Sequence, residues 1–288
     1  MKTKLIPIIL ILTIVCVLAA VFVLAKPDMP DKAKNPVVIP AHAVEVAPGV
    51  FYLGKALDKG RVVEGYAMFV KPGTECGNGI CEPGENARKC PEDCTKEDPE
   101  EPDTSSCYEF LAREAKWKTV EPYIVNPSNT RGLYEEFVRD NLAFNIDKWE
   151  IEAGVNILGD EIVGIVDGAD LESPDNQNEV FFADIDSPGA IAIAVVWGYF
   201  TGPPPFRELV EWDIVFDDVD FDWSAIGEAS KMDFENIATH ELGHAVGLGD
   251  LYNTECSEQT MYGYAEFGET KKRDLNTGDI TGIQKLYS

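Results

Sequence analysis

The chain has 288 residues, 45% of them hydrophobic, which is enough for a buried core and more than one small domain needs. Its 24 basic residues stand against 51 acidic ones, a formal net charge of -27. Such a surface repels phosphate backbones and excludes a general nucleic-acid binder.

The N-terminus sets the compartment. Lys2 and Lys4 precede an uncharged, mostly apolar run from Leu5 to Ala25, long enough to cross a bilayer as a helix. Val23-Leu24-Ala25 equally fits a small-residue cleavage site, so residues 1–25 read as a signal peptide or a transmembrane anchor. Either way the lysines hold the short end in the cytoplasm and the remainder is exported, secreted or kept at the membrane through the uncleaved segment. Cysteine usage agrees. Cys76, Cys81, Cys90, Cys94, Cys107 and Cys256 form an even set outside the apolar run, and in an exported chain they read as disulfides.

Residues 26–72 begin with a proline-studded stretch, expected as an extended stalk. The β-rich runs Val50–Leu53 and Arg61–Val70 then flank Asp58-Lys59-Gly60, the signature of a hairpin. Residues 73–94 hold four cysteines in a unit too short to bury a core. Two disulfides are expected to hold it, with a four-cysteine zinc site as the rival. Residues 95–106 (TKEDPEEPDTSS) are acidic and devoid of apolar side chains, a linker. Residues 107–288 read as a mixed domain. Trp117–Val125 reads as a strand. Asn129–Trp149 reads as a helix with Leu133, Phe137, Val138, Leu142 and Phe144 at helical spacing. Strands follow at Glu179–Ile185, Ala190–Phe200 and Glu208–Phe216. A helix from an Asp233 N-cap to Val246 ends at Gly247, and a last one runs from about Gly278 to Tyr287.

The informative segment is His240-Glu241-Leu242-Gly243-His244-Ala245-Val246-Gly247-Leu248-Gly249-Asp250. On a helix, His240 and His244 lie one turn apart on the same face, within reach of one ion. Glu241 sits beside them as general base for the water that the metal activates. Gly247 permits a left-handed turn that swings Asp250 back as the third ligand. Two imidazoles and one carboxylate suit zinc.

These residues, with Thr260-Met261-Tyr262 and Asp279-Ile280-Thr281-Gly282-Ile283-Gln284-Lys285-Leu286-Tyr287, resemble the metzincin zinc peptidases, in particular the matrixin branch. The likeness spans roughly 107–288. It implies an α/β (α+β) fold: a twisted, mostly parallel sheet with one antiparallel edge strand and three helices, with the N-terminal β and Cys-rich segment as an accessory. It also implies Met261 in a tight turn under the zinc. Matrixins have a third His where this chain has Asp250, whereas snapalysin-like peptidases have Asp there. Gly263 replaces the family's proline after the methionine, so Tyr262 and Tyr264 are left to wall the specificity pocket. The family's latency cysteine motif has no counterpart before residue 107.

By the same resemblance, substrate lies as an extra antiparallel strand along an edge strand over the zinc, with Ala190–Phe200 as the candidate edge; an ordinary buried strand is the other reading of its apolar sequence. Structural calcium is expected near Asp213, Asp217, Asp218, Asp220 and Asp222, since matrixins carry it in this region and hard carboxylate oxygens suit it; a solvated acidic loop is the other reading. Cys107 and Cys256 are expected to bridge, clamping the domain's start to the active-site loop, with a free thiol that ligates zinc as an inhibitor as the alternative. The function so implied is a zinc endopeptidase acting on extracytoplasmic proteins or peptides. The rivals are a non-catalytic exported binding or adhesion protein with the same shell, and a processing enzyme dedicated to one partner at the same membrane.

Overall fold

A computed structural model describes residues 35–73 and 104–288. The Leu5–Ala25 run, the cysteines from Cys76 to Cys94 and nearly all of the linker lie outside the described residues. Among those described, no helix is long and apolar enough to cross a membrane.

The first strands are β1 (Val44–Ala47), β2 (Val50–Asp58) and β3 (Arg61–Pro72). β2 and β3 form the expected hairpin, turning at Lys59 and Gly60 with φ of 47° and 78°. After β4 (Glu109–Phe110) and β5 (Tyr123–Asn126) comes helix α1 (Glu135–Ala153). Then follow β6 (Asn178–Ala183), β7 (Ala192–Tyr199), β8 (Glu208–Asp217), β9 (Trp223–Ser224) and β10 (Met232–Asp233). Helix α2 (Phe234–Ala245), β11 (Leu248–Gly249), β12 (Tyr264–Ala265) and helix α3 (Thr277–Tyr287) complete the chain.

The main sheet has the order β1-β2-β3-β7-β8-β6-β5, with β12 added to β3. Within the C-terminal part, β5, β6 and β8 are parallel and β7 runs antiparallel beside β8. This is the mixed α/β architecture with three helices that the resemblance implied. Ala190–Phe200, however, is not a free edge. β3 pairs antiparallel with β7 from Glu64↔Gly198 to Val70↔Ala192, so the hairpin extends the sheet past it. Core clusters on both faces of the sheet explain the unbroken apolar sequence of β7, since a strand covered on both faces has no polar side to present.

The stalk expectation is also corrected over its described part. Val37 is buried and bridges Ile185, and β1 pairs with β2, so these residues run along the sheet. The predicted strand Trp117–Val125 shortens to its second half and continues to Asn126. On α1 the buried row is Val138, Leu142, Ile146 and Trp149, while Phe144 lies on the outer face and is 55% exposed. Phe144 falls between the buried rows, and the Lys148 ammonium covers its ring at 4.6 Å.

Alternation divides the core between the two faces of the sheet. Met68, Val70, Ala192, Ala194 and Val196 face the helices, together with Leu142, Trp149, Ile237 and Leu242. Ala67, Phe69, Ile193, Val195 and Trp197 face the other way, against Val37, Val166 and Ile185. The loop over this second face is pinned by buried carboxylates. Glu179 accepts from the amides of Asp167 and Gly168 at 2.9 and 3.0 Å, and Asp213 accepts from Asp170 N at 2.9 Å. Trp197 Nε1 donates to Asp170 O at 2.6 Å. Cys107 and Cys256 form the expected disulfide, 149 residues apart in sequence.

Two outcomes follow from this architecture. Closing so long a loop restricts the unfolded chain, so Cys256→Ser should cost about 2–4 kcal/mol in denaturant titrations. Burial raises Glu211 from 4.5 to about 9 and Glu179 from 4.5 to about 7, and lifts Asp213 well above the usual carboxylate range. These groups are protonated in the folded state at pH values where the unfolded chain has already released its protons. Their stabilisation is therefore full below about pH 4.5 and is lost as pH rises through 7 to 9. With chelator present, Tm should fall across that window, and Glu211→Gln should recover roughly 5 °C of the loss at the alkaline end.

Candidate metal centre

Helix α2 starts where the sequence placed its cap. Asp233 accepts from Asn236 N at 3.1 Å, and its carboxylate is gripped by Arg273 Nε at 2.8 Å and Nη2 at 2.6 Å. The helix is buried on all sides, so its polar groups must find partners inside the protein. Trp149 Nε1 donates to Thr239 O at 3.0 Å, Trp117 Nε1 to Ala245 O at 2.7 Å and Tyr287 Oη to Val246 O at 2.9 Å. These bonds fix the helix in depth and rotation, and with it His240, Glu241 and His244.

The chain then reverses at Gly247, whose φ is 105°. A Cβ there would meet Ala115 O at 2.9 Å, so only glycine fits both the angle and the space. β11 pairs with β4, and Leu251 bridges Tyr262 through Leu251 N to Met261 O at 2.8 Å. This carries Asp250 back over the helix. Asp250 Oδ1 lies 3.3 Å from His240 Nε2 and 3.5 Å from His244 Nε2. Two ligands held about 2.0–2.1 Å from a tetrahedral ion are themselves about 3.3–3.4 Å apart, so the spacing fits zinc.

The hydrogen bonds behind the imidazoles agree. His240 Nδ1 donates to Thr260 O at 2.7 Å and His244 Nδ1 to Leu248 O at 2.9 Å. Each neutral ring therefore turns an unprotonated Nε2 lone pair towards the Asp250 oxygen. Lone pairs brought this close repel unless a cation lies between them. Both Nε2 atoms, Asp250 Oδ1 and both oxygens of Glu241 are buried without a hydrogen-bond partner. The two histidines and Glu241 are 0% exposed, and the Asp250 side chain is 1% exposed.

The electrostatics are those of a tight charged cluster. Burial, with Lys272 adding positive charge, pushes His240 down to about 4. Burial also works against a charged His244, but the Asp250 carboxylate outweighs it and His244 lies above the usual value. Asp250 itself is buried, yet the two imidazoles hold it well below the carboxylate range. Burial raises Glu241 to about 8.

Met261 packs against α2 at Gly243. A Cβ on Gly243 would meet Met261 Sδ at 2.1 Å, so the methionine packs against a helix face bare of side chain. Two supports of this turn were missed as such in the sequence. Asp279 accepts from Thr260 N at 2.8 Å and Met261 N at 3.1 Å, holding the carbonyl that receives His240. Its signal was present, since Asp279 opens the closing helix motif, but the motif alone did not say what the carboxylate touches. The second is Lys272, fully buried, whose Nζ donates to Tyr262 O. Nothing in KKRDL marks one lysine as internal. Of the tyrosines expected to wall a pocket, Tyr262 is buried and Tyr264 half-buried, their rings 5.7 Å apart. Tyr252, not singled out from sequence, donates to Asp250 Oδ2 at 3.1 Å.

The expected calcium ligands are not brought together. Asp217 accepts from the amides of Ile185 at 3.0 Å and Val219 at 2.9 Å, and from Asp220 N. Asp218 accepts from Thr130 N at 2.9 Å, and Asp222 pairs with Arg131 at 3.0 Å. The oxygens of Asp217, Asp218 and Asp222 serve backbone amides and a guanidinium. The second gathering of carboxylates among the described residues is Asp170, Glu211 and Asp213, beneath the pinned loop.

Residues 201–288 match the family model described as Matrixin. The chain is 36% identical over 106 residues to stromelysin-1 of Equus caballus, covering 37% of this chain and 20% of that protein. It is 41% identical over 61 residues to matrilysin of Rattus norvegicus, covering 21% and 22%. It is 35% identical over 77 residues to metalloendoproteinase 2-MMP of Arabidopsis thaliana, covering 24% and 19%. The chain thus spans about a fifth of the length of these relatives, and the family-model match at 201–288 covers the residues of the candidate metal centre.

Proposed function

We propose that the protein is a zinc-dependent endopeptidase that cuts extracytoplasmic proteins or peptides, with His240, His244 and Asp250 as ligands and Glu241 as general base. The observation that carries this is the meeting of five buried polar atoms that lack a hydrogen-bond partner: two imidazole nitrogens, one oxygen of Asp250 and both oxygens of Glu241. Leaving one such atom unpaired costs about 1–3 kcal/mol, and five in one place are explained by a bound cation and a reacting water. A zinc ion held there supplies a Lewis acid that polarises a peptide carbonyl and makes water a stronger acid. Glu241 takes the proton from the attacking water and returns it to the leaving amine. The carbonyls of Thr260 and Leu248 hold the imidazoles in the tautomer that ligates, and Asp279 keeps the first of these carbonyls in place. A purely structural zinc needs no unpaired carboxylate beside it, which favours catalysis over a non-catalytic binding shell. The Cys107–Cys256 disulfide and the apolar N-terminal run support an exported setting.

The test uses the full chain with zinc and an unfolded protein as substrate. Wild type should bind one zinc and cut, whereas chelated protein should not cut. Glu241→Ala should keep the metal and lose activity by at least about a hundredfold. Zinc binding without cleavage of any substrate by wild type would favour the binding-protein reading, and no zinc binding would end both. A carboxylate ligand donates more negative charge to the ion than a third imidazole, leaving its water less acidic. Asp250→His should therefore move the pH–rate profile to lower pH by roughly one unit, checked on kcat/KM.

A further inference from the structure

Away from the metal ligands, a cleft of about 440 Å³ opens beside the last turn of α3. Ligand clefts commonly measure roughly 300–1,000 Å³. Its walls carry four cations, Lys116, Lys118, Arg207 and Lys285, together with the rings of Tyr108 and Phe110, whose centroids lie 5.3 Å apart. The chain has 51 acidic residues for 24 basic ones, and other cations are neutralised. Lys148 pairs with Glu235 at 2.7 Å, Arg273 with Asp233 at 2.6 Å and Arg131 with Asp222 at 3.0 Å.

In the cleft the partners are of another kind. Lys116 Nζ donates to Leu286 O at 2.7 Å, Lys285 Nζ to Tyr108 Oη at 2.7 Å and Arg207 Nε to Gly202 O at 3.0 Å. Among the described residues none of these three pairs with a carboxylate, whereas Lys118 reaches Glu208 at 3.6 Å. Carbonyls and a hydroxyl orient a cation without neutralising it, and an ammonium bound to one acceptor keeps two further N–H donors. The backbone beside the cleft is constrained as well. Ala112, Arg113 and Glu114 take φ of 45°, 63° and 66°, a run that residues with a Cβ adopt only when their surroundings impose it. Leu111 N, donating to Gly247 O at 2.9 Å, and Arg207 Nη1, donating to Arg113 O, hold it in place.

Two features select the ligand. The cations are tied to separate points, the end of α3, Tyr108, Pro205 and Gly202, so they offer spaced charges and not one phosphate-sized hole. Pro204 and Pro205 line the cleft, and Phe206 beside them is 64% exposed. A polypeptide covers such apolar surface and an inorganic anion does not. Dense polyanions are repelled by Glu114 in the cleft and by the net charge of -27.

We propose that this cleft is a docking site, separate from the metal centre, for an extended polypeptide segment that intersperses carboxylates with apolar residues, and that it recruits substrates carrying such a segment. The recruiting role rests on the peptidase reading; the binding does not. Phe110 pairs with Leu248, whose carbonyl receives His244 Nδ1, so a docked segment lies one strand pair from the metal centre.

The test titrates the full chain into a labelled synthetic peptide rich in Glu, Pro and Leu, and into its counterpart with every Glu replaced by Gln. Only the acidic peptide should bind, by fluorescence anisotropy, and more weakly as salt rises from about 0.05 to about 0.3 M. Lys118→Glu combined with Lys285→Glu, both exposed positions, should weaken binding at least about tenfold with far-UV spectrum and zinc content unchanged. Equal binding of both peptides, undiminished binding by the charge-reversed chain, or full competition by inorganic phosphate at matched concentration would overturn the site. So would binding that emerges only after Glu97, Asp98, Glu100 and Glu101 are replaced by Gln or Asn, because the chain's own residues would then hold the cleft. Next, the zinc-loaded chain is given one quenched peptide with and without an acidic extension. The extension should lower KM at least about tenfold with kcat unchanged, and the charge-reversed chain should treat both peptides as wild type treats the unextended one. Binding without cleavage of either peptide would uphold the cleft and overturn the peptidase reading. Equal KM values would overturn the recruiting role and leave the peptidase standing.

Discussion

Two imidazole lone pairs lying 3.3 and 3.5 Å from one buried carboxylate oxygen repel it, and the surrounding structure is arranged to hold them there. Each imidazole is fixed from behind by a backbone carbonyl, those carbonyls belong to the turns that follow α2, and the turns are clamped in their turn by Asp279, Lys272 and the disulfide-tied start of the domain. The helix carrying the histidines has no solvent face, so its end carbonyls are satisfied by tryptophan and tyrosine donors from α1, α3 and the segment before β5. Rigidity at this level is what lets a protein keep unpaired donor atoms at metal-binding spacing.

The sheet serves the same centre from the other side. β8 is buried and central, β7 lies between β8 and the hairpin, and α2 packs across the face where Ala192, Ala194 and Val196 point. The small residues on that face leave room for the helix, while Ile193, Val195 and Trp197 fill the opposite face under the pinned loop. The hairpin belongs to the same sheet and both core clusters, so the described residues 35–73 are structurally part of the unit that holds His240, His244 and Asp250.

Much of the centre was legible in the sequence because its determinants are local. Helical spacing puts His240 and His244 on one face whatever surrounds them, Asp233 caps through its own following amides, and Gly247 takes a φ that other residues avoid. The hairpin turn at Lys59-Gly60 is local in the same sense. What the sequence could not decide is which surfaces meet. An apolar strand reads alike at a rim beside a bound peptide and between two neighbours, and only the pairing of β3 along β7 decides between the two. The acidic residues from Asp217 to Asp222 read as hard-cation ligands, but the oxygens of Asp217 are taken by the Ile185 amide and its own following amides, Asp218 by Thr130 and Asp222 by Arg131. Asp279 and Lys272 became part of the centre only through contacts spanning the loop between α2 and α3. Residue type and short-range spacing determined the chemistry of the site. Long-range pairing, which carries no mark in the local sequence, decided what covers it and what holds it in place.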